Sequence, residues 1–292
     1  MTTTWGEAEA AEFLRAQGFG LGPFSIRRLT GGLWNDVLLV ETPARRMILK
    51  HYRGVLPGTL FPNLPDAEAA ALQRLAGLEV APDLIGFWPG DNVLLYDYVE
   101  GALWSDEVGA VAQLLARKQA ADPSGFRPVP LSPADITAQG DALMARCPAS
   151  PLVADWQRHR PRPVTLAAPE RLSLIHTDIG AGNLVGAGAG LRLIDWQCPA
   201  AGDLAEDLFS FLSPAFQVIN ARPVLDAGQR RQFFEALEIA GAQTRHAALE
   251  PFYAYRMAAY CCLRAETATE PELRARYARA ARAELAQLQE PA

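Results

Sequence analysis

Over the first hundred residues, short apolar runs are separated by turn residues, a pattern typical of β-strands joined by tight connections. A helical pattern over residues 7–18 precedes these runs, and a second, alanine-rich one extends from Asp66 to Ala76. Asp66 is a favoured N-cap residue, and Gly77 is a favoured residue at a helix end. The pattern predicts a small antiparallel sheet of five strands that carries a helix. The strands are predicted at Phe24–Ile26, Asp36–Val40, Arg45–Lys50, Leu84–Phe87 and Val93–Val99.

The pattern changes after Glu100 and Gly101. Apolar residues then recur with a helical period, and strand-like runs are limited to Leu172–Ile175 and Leu191–Ile194. The fold class predicted is α+β with two lobes: a sheet lobe over residues 1–100 and a mainly helical lobe over residues 101–292. The helices of the second lobe are predicted at residues 105–121, 133–146, 203–212, 226–240, 245–265 and 271–288.

The composition and the net charge of the chain exclude several classes of protein. The 292 residues are 50% hydrophobic and 21% charged, which is typical of globular proteins and excludes a disordered or fibrous chain. The formal net charge of −6, without long runs of like charge, argues against a nucleic-acid partner. No apolar stretch has the length of a membrane span and the polar N-terminus is unlike a signal peptide, so no membrane partner is expected. The four cysteines form no CxxC pair, which favours a reduced, cytoplasmic setting.

Three polar residues follow the two strand-like runs of the second lobe at a spacing that suits phosphoryl transfer. Asp178 follows the first run, Asn183 stands five positions later, and Asp195 ends the second run. Phosphoryl transfer needs a carboxylate that accepts the proton of the attacking alcohol. It also needs carboxylate and amide oxygens that hold the magnesium ion bridging the phosphates. The spacing therefore makes Asp178 the candidate catalytic base and Asn183 and Asp195 the candidate metal ligands.

These motifs resemble those of the aminoglycoside phosphotransferase and choline kinase families, which share the protein-kinase fold. His176-Thr177-Asp178 with Asn183 matches the HxDxxxxN motif of these families, and Asp195-Trp196-Gln197 matches their form of the kinase DFG motif. Gly202 to Leu208 is similar to the family sequence GDPxxDL. The resemblance implies a two-lobed protein-kinase-like fold, with ATP and Mg as cofactors. It covers residues 20–212 in the family order.

The first lobe extends the resemblance to the nucleotide site. Residues 29–35 look like the phosphate loop of the family, in which Gly31 and Gly32 let the backbone approach the phosphates and Asn35 belongs to the cofactor site. Lys50 looks like the strand lysine that holds the α- and β-phosphates. Glu68 matches its ion-pair partner, with Asp66 as the alternative. Residues 94–101 look like the hinge to adenine, so Tyr96 and Tyr98 are assigned to the cofactor site, although both also suit a core position on one strand face.

Several neighbouring residues have a structural interpretation. His176 is expected to hold the catalytic loop by packing and hydrogen bonding, and Asp207 to brace the backbone of that loop, while Asp203 caps the following helix. The sequence departs from the family at Thr177, where the family usually has glycine, and over residues 115–119, which include Lys118, where relatives often show Leu-His. Lys50 and Lys118 are the two lysines among 27 basic residues.

The function predicted is ATP- and Mg-dependent phosphorylation of a hydroxyl group on a small molecule. Asp195 to Asp203 is too short for a protein-substrate platform, which disfavours a protein kinase. A catalytically silent nucleotide-binding module is the alternative from another class. Within the enzymes, a choline- or ethanolamine-type kinase and an aminoglycoside phosphotransferase are the alternatives.

The acceptor is expected to be a small metabolite that bears an amine, rather than a polycationic antibiotic. From Arg245 to Ala292 the chain carries seven arginines against six glutamates, without an acidic cluster that would match several positive charges. The aromatic residues Trp196, Phe252, Tyr253 and Tyr255 are open to two interpretations: they bind a cation through their rings, or they belong to the core. The sequence leaves the oligomeric state and the identity of the acceptor open.

Overall fold

The computed structural model describes residues 4–19, 22–29, 34–54 and 59–288, and the chain forms two compact units. Unit 1 consists of Met1–Ala102 and Val185–Pro199, and unit 2 of Leu103–Leu184 and Ala200–Ala292. Residues 185–199 lie beyond the predicted lobe boundary at residue 100 and fold with unit 1.

Unit 1 is built on a five-stranded antiparallel sheet, as the strand pattern predicts, in the order β1-β2-β3-β5-β4. The longest pairing joins β2 and β3, where all seven residues of each strand are in register. The elements of this sheet and its helices are α1 (Glu7–Ala16), β1 (Ser25–Arg28), β2 (Asn35–Glu41), β3 (Arg46–Tyr52), α2 (Pro65–Leu75), β4 (Leu84–Trp88) and β5 (Val93–Asp97).

The two faces of this sheet have different roles. Side chains alternate between faces along a strand, so Leu38, Leu49 and Leu95 share one face. They pack with Phe13 and Leu14 of α1 in one hydrophobic core. Lys50 follows Leu49 and therefore points to the opposite face. The hydrophobic pattern of β3 thus places a lysine on the face away from α1.

The start of α2 differs from its prediction. The helix begins at Pro65 with Leu64 as N-cap, so the expected N-cap Asp66 lies inside the first turn. Proline is favoured at the first helical position because it lacks the N–H group that would remain unpaired there. This start places Glu68 on the buried side of the first turn.

Unit 2 is mainly helical, as predicted. The first helix begins at Val108 rather than after the expected cap Ser105. A short antiparallel strand pair flanks residues 176–199, with Ser173 opposite Gly202 and Ile175 opposite Ala200. The helices are α3 (Val108–Lys118), α4 (Pro133–Met144), α5 (Pro151–Arg158), α6 (Leu204–Leu212), α7 (Pro214–Ile219), α8 (Ala227–Leu237), α9 (Ala242–Thr267) and α10 (Pro271–Gln287). The short strands of the second half of the chain are β6 (Ser173–Ile175), β7 (Leu184–Val185), β8 (Arg192–Leu193) and β9 (Ala200–Gly202).

The described part of the chain contains no helix with the combined length and apolar character that crossing a bilayer requires.

Candidate active site

Lys50 is a buried lysine held by two carboxylates of unit 1. Only 2% of its surface is exposed. Its Nζ donates to Oε2 of Glu68 at 2.6 Å and to Oδ1 of Asp195 at 2.5 Å. The structure thus brings together three residues that the family resemblance selects. Glu68, rather than the alternative Asp66, is the partner on α2.

Burial and the neighbouring charges shift the pKa values of Lys50 and Glu68 in opposite directions. Burial by itself lowers the pKa of Lys50, but the carboxylates of Asp195 and Glu68 outweigh burial and raise the pKa above its ordinary value. Burial is also the main influence on Glu68, and it raises the pKa of this carboxyl in spite of the attraction of Lys50. One ammonium faces two carboxylates, so the ionised cluster carries excess negative charge that a further cation would neutralise.

Tyrosines form part of the wall around Lys50. The hydroxyl of Tyr52 donates to Oε2 of Glu68, and the Nζ of Lys50 lies 4.9 Å from the centroid of the Tyr52 ring. Tyr96 on β5 is buried, and burial raises the pKa of its hydroxyl. These neighbours hold the lysine in a fixed place because its side chain has little free space.

Tyr98 lies beyond the end of β5 and is half-buried. Its backbone N–H donates to the carbonyl of Arg46 at 3.1 Å, and the guanidinium of Arg46 lies 4.9 Å from its ring centroid. The assignment of Tyr96 and Tyr98 to a nucleotide contact stays a prediction, and Tyr96 also fills the core position that its strand pattern suggests.

Asp195 follows β8 and has a left-handed backbone conformation, with φ of 64°. The neighbouring residues fix this turn. The N–H of Leu193 donates to the carbonyl of Val80 at 2.8 Å, and the indole N–H of the buried Trp196 donates to the carbonyl of Leu193 at 2.8 Å. The Asp195 side chain is 35% exposed although its Oδ1 contacts the buried Lys50. The carboxylate therefore contacts the buried lysine on one side and is accessible to solvent on the other.

Asn35, the first residue of β2, belongs to a cluster of three buried amides. It exchanges hydrogen bonds of 3.0 and 2.8 Å with Asn63, and its Nδ2 also lies 3.2 Å from Oε1 of Gln197. Its side chain therefore joins the sheet to the segment that carries Asp195. Of the phosphate loop predicted over residues 29–35, Gly31 and Gly32 lie outside the described residues.

In unit 2, Asp178 is placed by a chain of contacts to the backbone that precedes it. Thr177 has a φ of 69°, a conformation that is costly for a β-branched residue. Asp207 of α6 accepts the N–H groups of His176 and Thr177 at 2.9 to 3.1 Å. Nδ1 of the buried His176 accepts the N–H of Asp178 at 3.2 Å. The structural roles predicted for His176 and Asp207 are confirmed, and the cap predicted at Asp203 is also present.

Asn183 lies at the end of a short 3₁₀ turn, Ala181–Asn183. Its Nδ2 donates to the carbonyl of Asp178 at 2.9 Å, which leaves its Oδ1 facing away from that carbonyl. Within the described residues this oxygen accepts no hydrogen bond. The amide is thus oriented as a metal ligand requires, with its acceptor atom available.

Sequence reasoning did not find two residues that hold this loop. Asn220, just after α7, accepts the N–H of Gly182 at 3.0 Å, and its amide packs so closely that a Cβ on Gly180 would lie 2.4 Å from its Nδ2. Lys118 is buried behind the loop and contacts Asp207 at 3.0 Å. The rarity of lysine in this chain marked Lys118 as unusual, whereas no feature of the sequence distinguished Asn220.

The aromatic residues considered for a cationic acceptor are buried. Trp196, Phe252, Tyr253 and Tyr255 are each less than 5% exposed, so the core interpretation is correct for all four. Phe252 borders a cavity of about 420 Å³ in unit 2 whose lining includes Arg158, Arg160 and Arg162. This arginine-rich lining does not suit a cation, so the structure provides no aromatic cage for choline at these rings.

Asp195 of unit 1 and Asn183 of unit 2 each present a hard oxygen atom. Magnesium is commonly held by one or two such side chains and by the phosphates of its nucleotide. Within the described residues, no three His, Cys, Asp or Glu side chains form a ready-made metal site. By residue type, each of these two side chains suits a magnesium ion whose other ligands are nucleotide oxygen atoms.

Comparison with known proteins agrees with these motifs. A model of the phosphotransferase enzyme family matches residues 25–252. The thiamine kinase of Escherichia coli K12 is 28% identical over 191 residues, which cover 63% of this chain and 64% of that enzyme. The chain thus matches less than two thirds of the length of this curated relative.

Solved structures share the fold over nearly the whole chain. A choline/ethanolamine kinase family protein from Mesorhizobium loti is 18% identical, with a TM-score of 0.68 over 97% of this chain and 95% of its own. The choline kinase LicA from Streptococcus pneumoniae is 16% identical, with a TM-score of 0.66 over 96% of this chain and 99% of its own. LicA has also been solved in complex with AMP. These likenesses confirm the predicted fold class, and the family match covers well over half of the chain. The chain belongs to the phosphotransferase enzyme family.

Proposed function

We propose that this protein transfers the γ-phosphoryl group of ATP to a hydroxyl group of a small molecule, in a reaction that depends on magnesium. The observation that carries the proposal is the buried Lys50 between Glu68 and the partly exposed Asp195. Burial of this lysine and its contacts with two carboxylates argue against the role of a solvated surface residue. They hold the ammonium in place as a fixed positive charge that suits phosphate oxygens.

Each residue of the site has a distinct role in this proposal. Lys50, held by Glu68, contacts the phosphates of the nucleotide. Asp195 and Asn183 would hold magnesium, which would supply positive charge to offset the charge that develops on the phosphates. Asp178 orients the hydroxyl group of the acceptor and takes its proton. An oxygen–phosphorus bond then forms to the acceptor, the bond between the γ-phosphorus and the bridging oxygen breaks, and ADP leaves.

The proposed acceptor class is a small alcohol that carries one cationic nitrogen. The curated relative acts on thiamine, and LicA acts on choline. Both compounds carry a hydroxyethyl arm and one quaternary nitrogen: the arm is bonded to that nitrogen in choline and to a carbon of the thiazolium ring in thiamine. The reacting group would be a primary alcohol in both. Support for ATP as the donor comes from the nucleotide in the LicA complex and from the complete set of Lys50, Asp178, Asn183 and Asp195 in this chain. The same set argues against a catalytically silent module.

The test is release of ADP by the purified protein with ATP and magnesium, measured with thiamine, choline, ethanolamine, kanamycin and a generic protein substrate. We expect thiamine or choline to raise the rate well above the rate without acceptor, and the Asp178→Asn protein to show no such increase. Phosphorylation of kanamycin with a kcat/KM above about 10⁴ M⁻¹s⁻¹ would overturn the proposed acceptor class. Binding of ATP without transfer to any alcohol would support the silent module instead.

A further inference from the structure

Lys118 is the second buried lysine of the chain, and it lies directly behind the catalytic loop. It is the last residue of α3 and its surface is fully buried. Its Nζ donates to the carbonyl of Leu174 at 2.6 Å and lies 3.0 Å from Oδ2 of Asp207. The ammonium therefore contacts both β6, which leads into the loop, and the carboxylate that holds the loop backbone.

The contacts of Asp207 continue from this lysine to the catalytic aspartate. The same carboxylate accepts the N–H groups of His176 and Thr177, the two residues that precede Asp178. The hydroxyl of Ser210 adds a bond of 3.0 Å to the carbonyl of Thr177. Because Thr177 occupies the left-handed region, which is unfavourable for a non-glycine residue, these bonds hold it there.

Lys118 is the buried cation that faces the carboxylate of Asp207. Both side chains are fully buried, and an ionised carboxylate in such a place needs a cation and several donors. Without the ammonium, Asp207 would retain the two backbone amides as donors but would lose its counterion. The ammonium and the two amides hold the same carboxylate, so loss of the ammonium would leave the position of that carboxylate, and with it the amides of residues 176 and 177, less firmly fixed.

We propose that Lys118 is a positioning residue for the reaction, which acts through Asp207 on the backbone conformation of residues 176–178 and thereby sets the place of the Asp178 carboxylate. This inference rests on the proposed function for its kinetic part. Lysine suits the position because its compact ammonium makes both contacts within a closed space, whereas the wider guanidinium fork of arginine would not.

The structure provides a matched control for the loss of a buried ion pair. Arg256 of α9 donates to Oε1 of Glu206 at 2.7 Å, and both side chains are about as buried as the Lys118 pair. Glu206 lies one residue before Asp207 on α6, but its side chain makes no contact with residues 176–178 among the described hydrogen bonds and ion pairs. Arg256→Met therefore removes a buried cation that pairs with α6, the helix that carries Asp207, without removing a contact to the loop.

The experiment compares Lys118→Met with Arg256→Met at a temperature where denaturation curves show both proteins to be folded. For Lys118→Met we expect kcat to fall at least about tenfold with an unchanged KM for ATP, because small displacements of catalytic groups are costly in rate. Arg256→Met should lose stability but keep the wild-type kcat. In an Asp207→Asn background, Lys118→Met should add little further loss, because the lysine acts through that carboxylate.

Hydrogen exchange of the amides of residues 176–178 provides a readout that does not depend on activity. We expect faster exchange in Lys118→Met and wild-type exchange in Arg256→Met. Unchanged exchange and unchanged kcat in folded Lys118→Met would overturn the inference, as would equal kinetic losses in the two variants. If the wild-type protein transfers no phosphate but the exchange difference is present, the proposed function fails and the positioning role stands.

Discussion

The Nζ of Lys50 lies 2.5 Å from Oδ1 of Asp195, although the two residues are 145 positions apart in the chain. The contact joins the third strand of the sheet to the segment after β8, and both belong to unit 1. Glu68 holds the other side of the same ammonium at 2.6 Å. A single buried positive charge is thus shared by a buried carboxylate and a partly exposed one, and this asymmetry leads to the first two predictions.

Asp195→Ala is expected to abolish the magnesium dependence of nucleotide binding. The carboxylate is the exposed member of the cluster, and a bound metal ion is the largest local charge in a phosphate site. Titration of ATP with and without Mg²⁺ measures the effect. The matched control is Asp91→Ala, which removes an exposed carboxylate from the turn between β4 and β5. If Mg²⁺ raises the affinity for ATP equally in the Asp195 variant and in the wild type, the assignment of Asp195 as a metal ligand is wrong.

Lys50→Ala is expected to lower kcat/KM for ATP by about 10²–10³, the cost of removing one fixed charge from a developing anion. Lys50→Arg should recover only part of this loss, because the guanidinium is broader than the ammonium that fits against Glu68 and Tyr52. Steady-state kinetics in ATP measure both variants. Arg45→Ala, which removes an exposed cation paired with Asp97, is the control and should match the wild type. Full activity of Lys50→Arg would contradict a role that depends on this geometry.

Asp178→Asn is expected to lower kcat by about 10²–10⁴ with little change in the KM for ATP, because the proton acceptor acts in the transition state. Calorimetric titration with ATP and Mg²⁺ should give a dissociation constant close to that of the wild type. An Asn variant that keeps more than about a tenth of the wild-type kcat would show that Asp178 does not act as the base.

Glu284 of α10 is expected to make the protein less stable as the pH rises. Burial raises the pKa of this carboxyl to about 7 from an ordinary value of 4.5, against hydrogen bonds from Ser213 and Ala215 that lower it. Below pH 4.5 the group is protonated in the folded and the unfolded chain alike. Between pH 4.5 and 7 the unfolded chain releases the proton while the folded chain keeps it. The free energy of unfolding should therefore fall by about 3 kcal/mol over this range on account of Glu284.

Urea denaturation at pH 5 and pH 8 measures this effect. Glu284→Gln carries no proton that titrates there, so its stability relative to the wild type should rise between the two pH values. Glu272→Gln removes an exposed carboxylate from the first turn of the same helix and should follow the wild-type profile. Parallel profiles for Glu284→Gln and the wild type would contradict the prediction.

The order of the elements in this protein could be predicted from local sequence patterns. Alternation of apolar residues predicted the five strands of unit 1, and the helical period predicted most helices of unit 2. Helix starts were less predictable. Asp66 and Ser105 are good caps by residue type, yet α2 begins at Pro65 and α3 at Val108. A cap depends on the direction from which the chain enters the helix, and the surrounding structure decides that direction.

The spacing of Asp178, Asn183 and Asp195 indicated phosphoryl transfer, and the resemblance of these motifs and of Lys50 to a known family implied the kinase-like fold. Asp178, Asn183 and Asp195 lie close to the ends of short strands, so local periodicity and motif spacing indicate their place. Only the tertiary structure decided which acid pairs with Lys50, that Asn35 joins a buried amide cluster, and that Tyr253 and Tyr255 belong to the core. Tertiary structure also placed Lys118 on Asp207, 89 positions later in the chain. The type of a residue limits the chemistry that its side chain can perform. Burial and long-range partners determine which role the side chain takes, and they arise only when distant segments of the chain pack together.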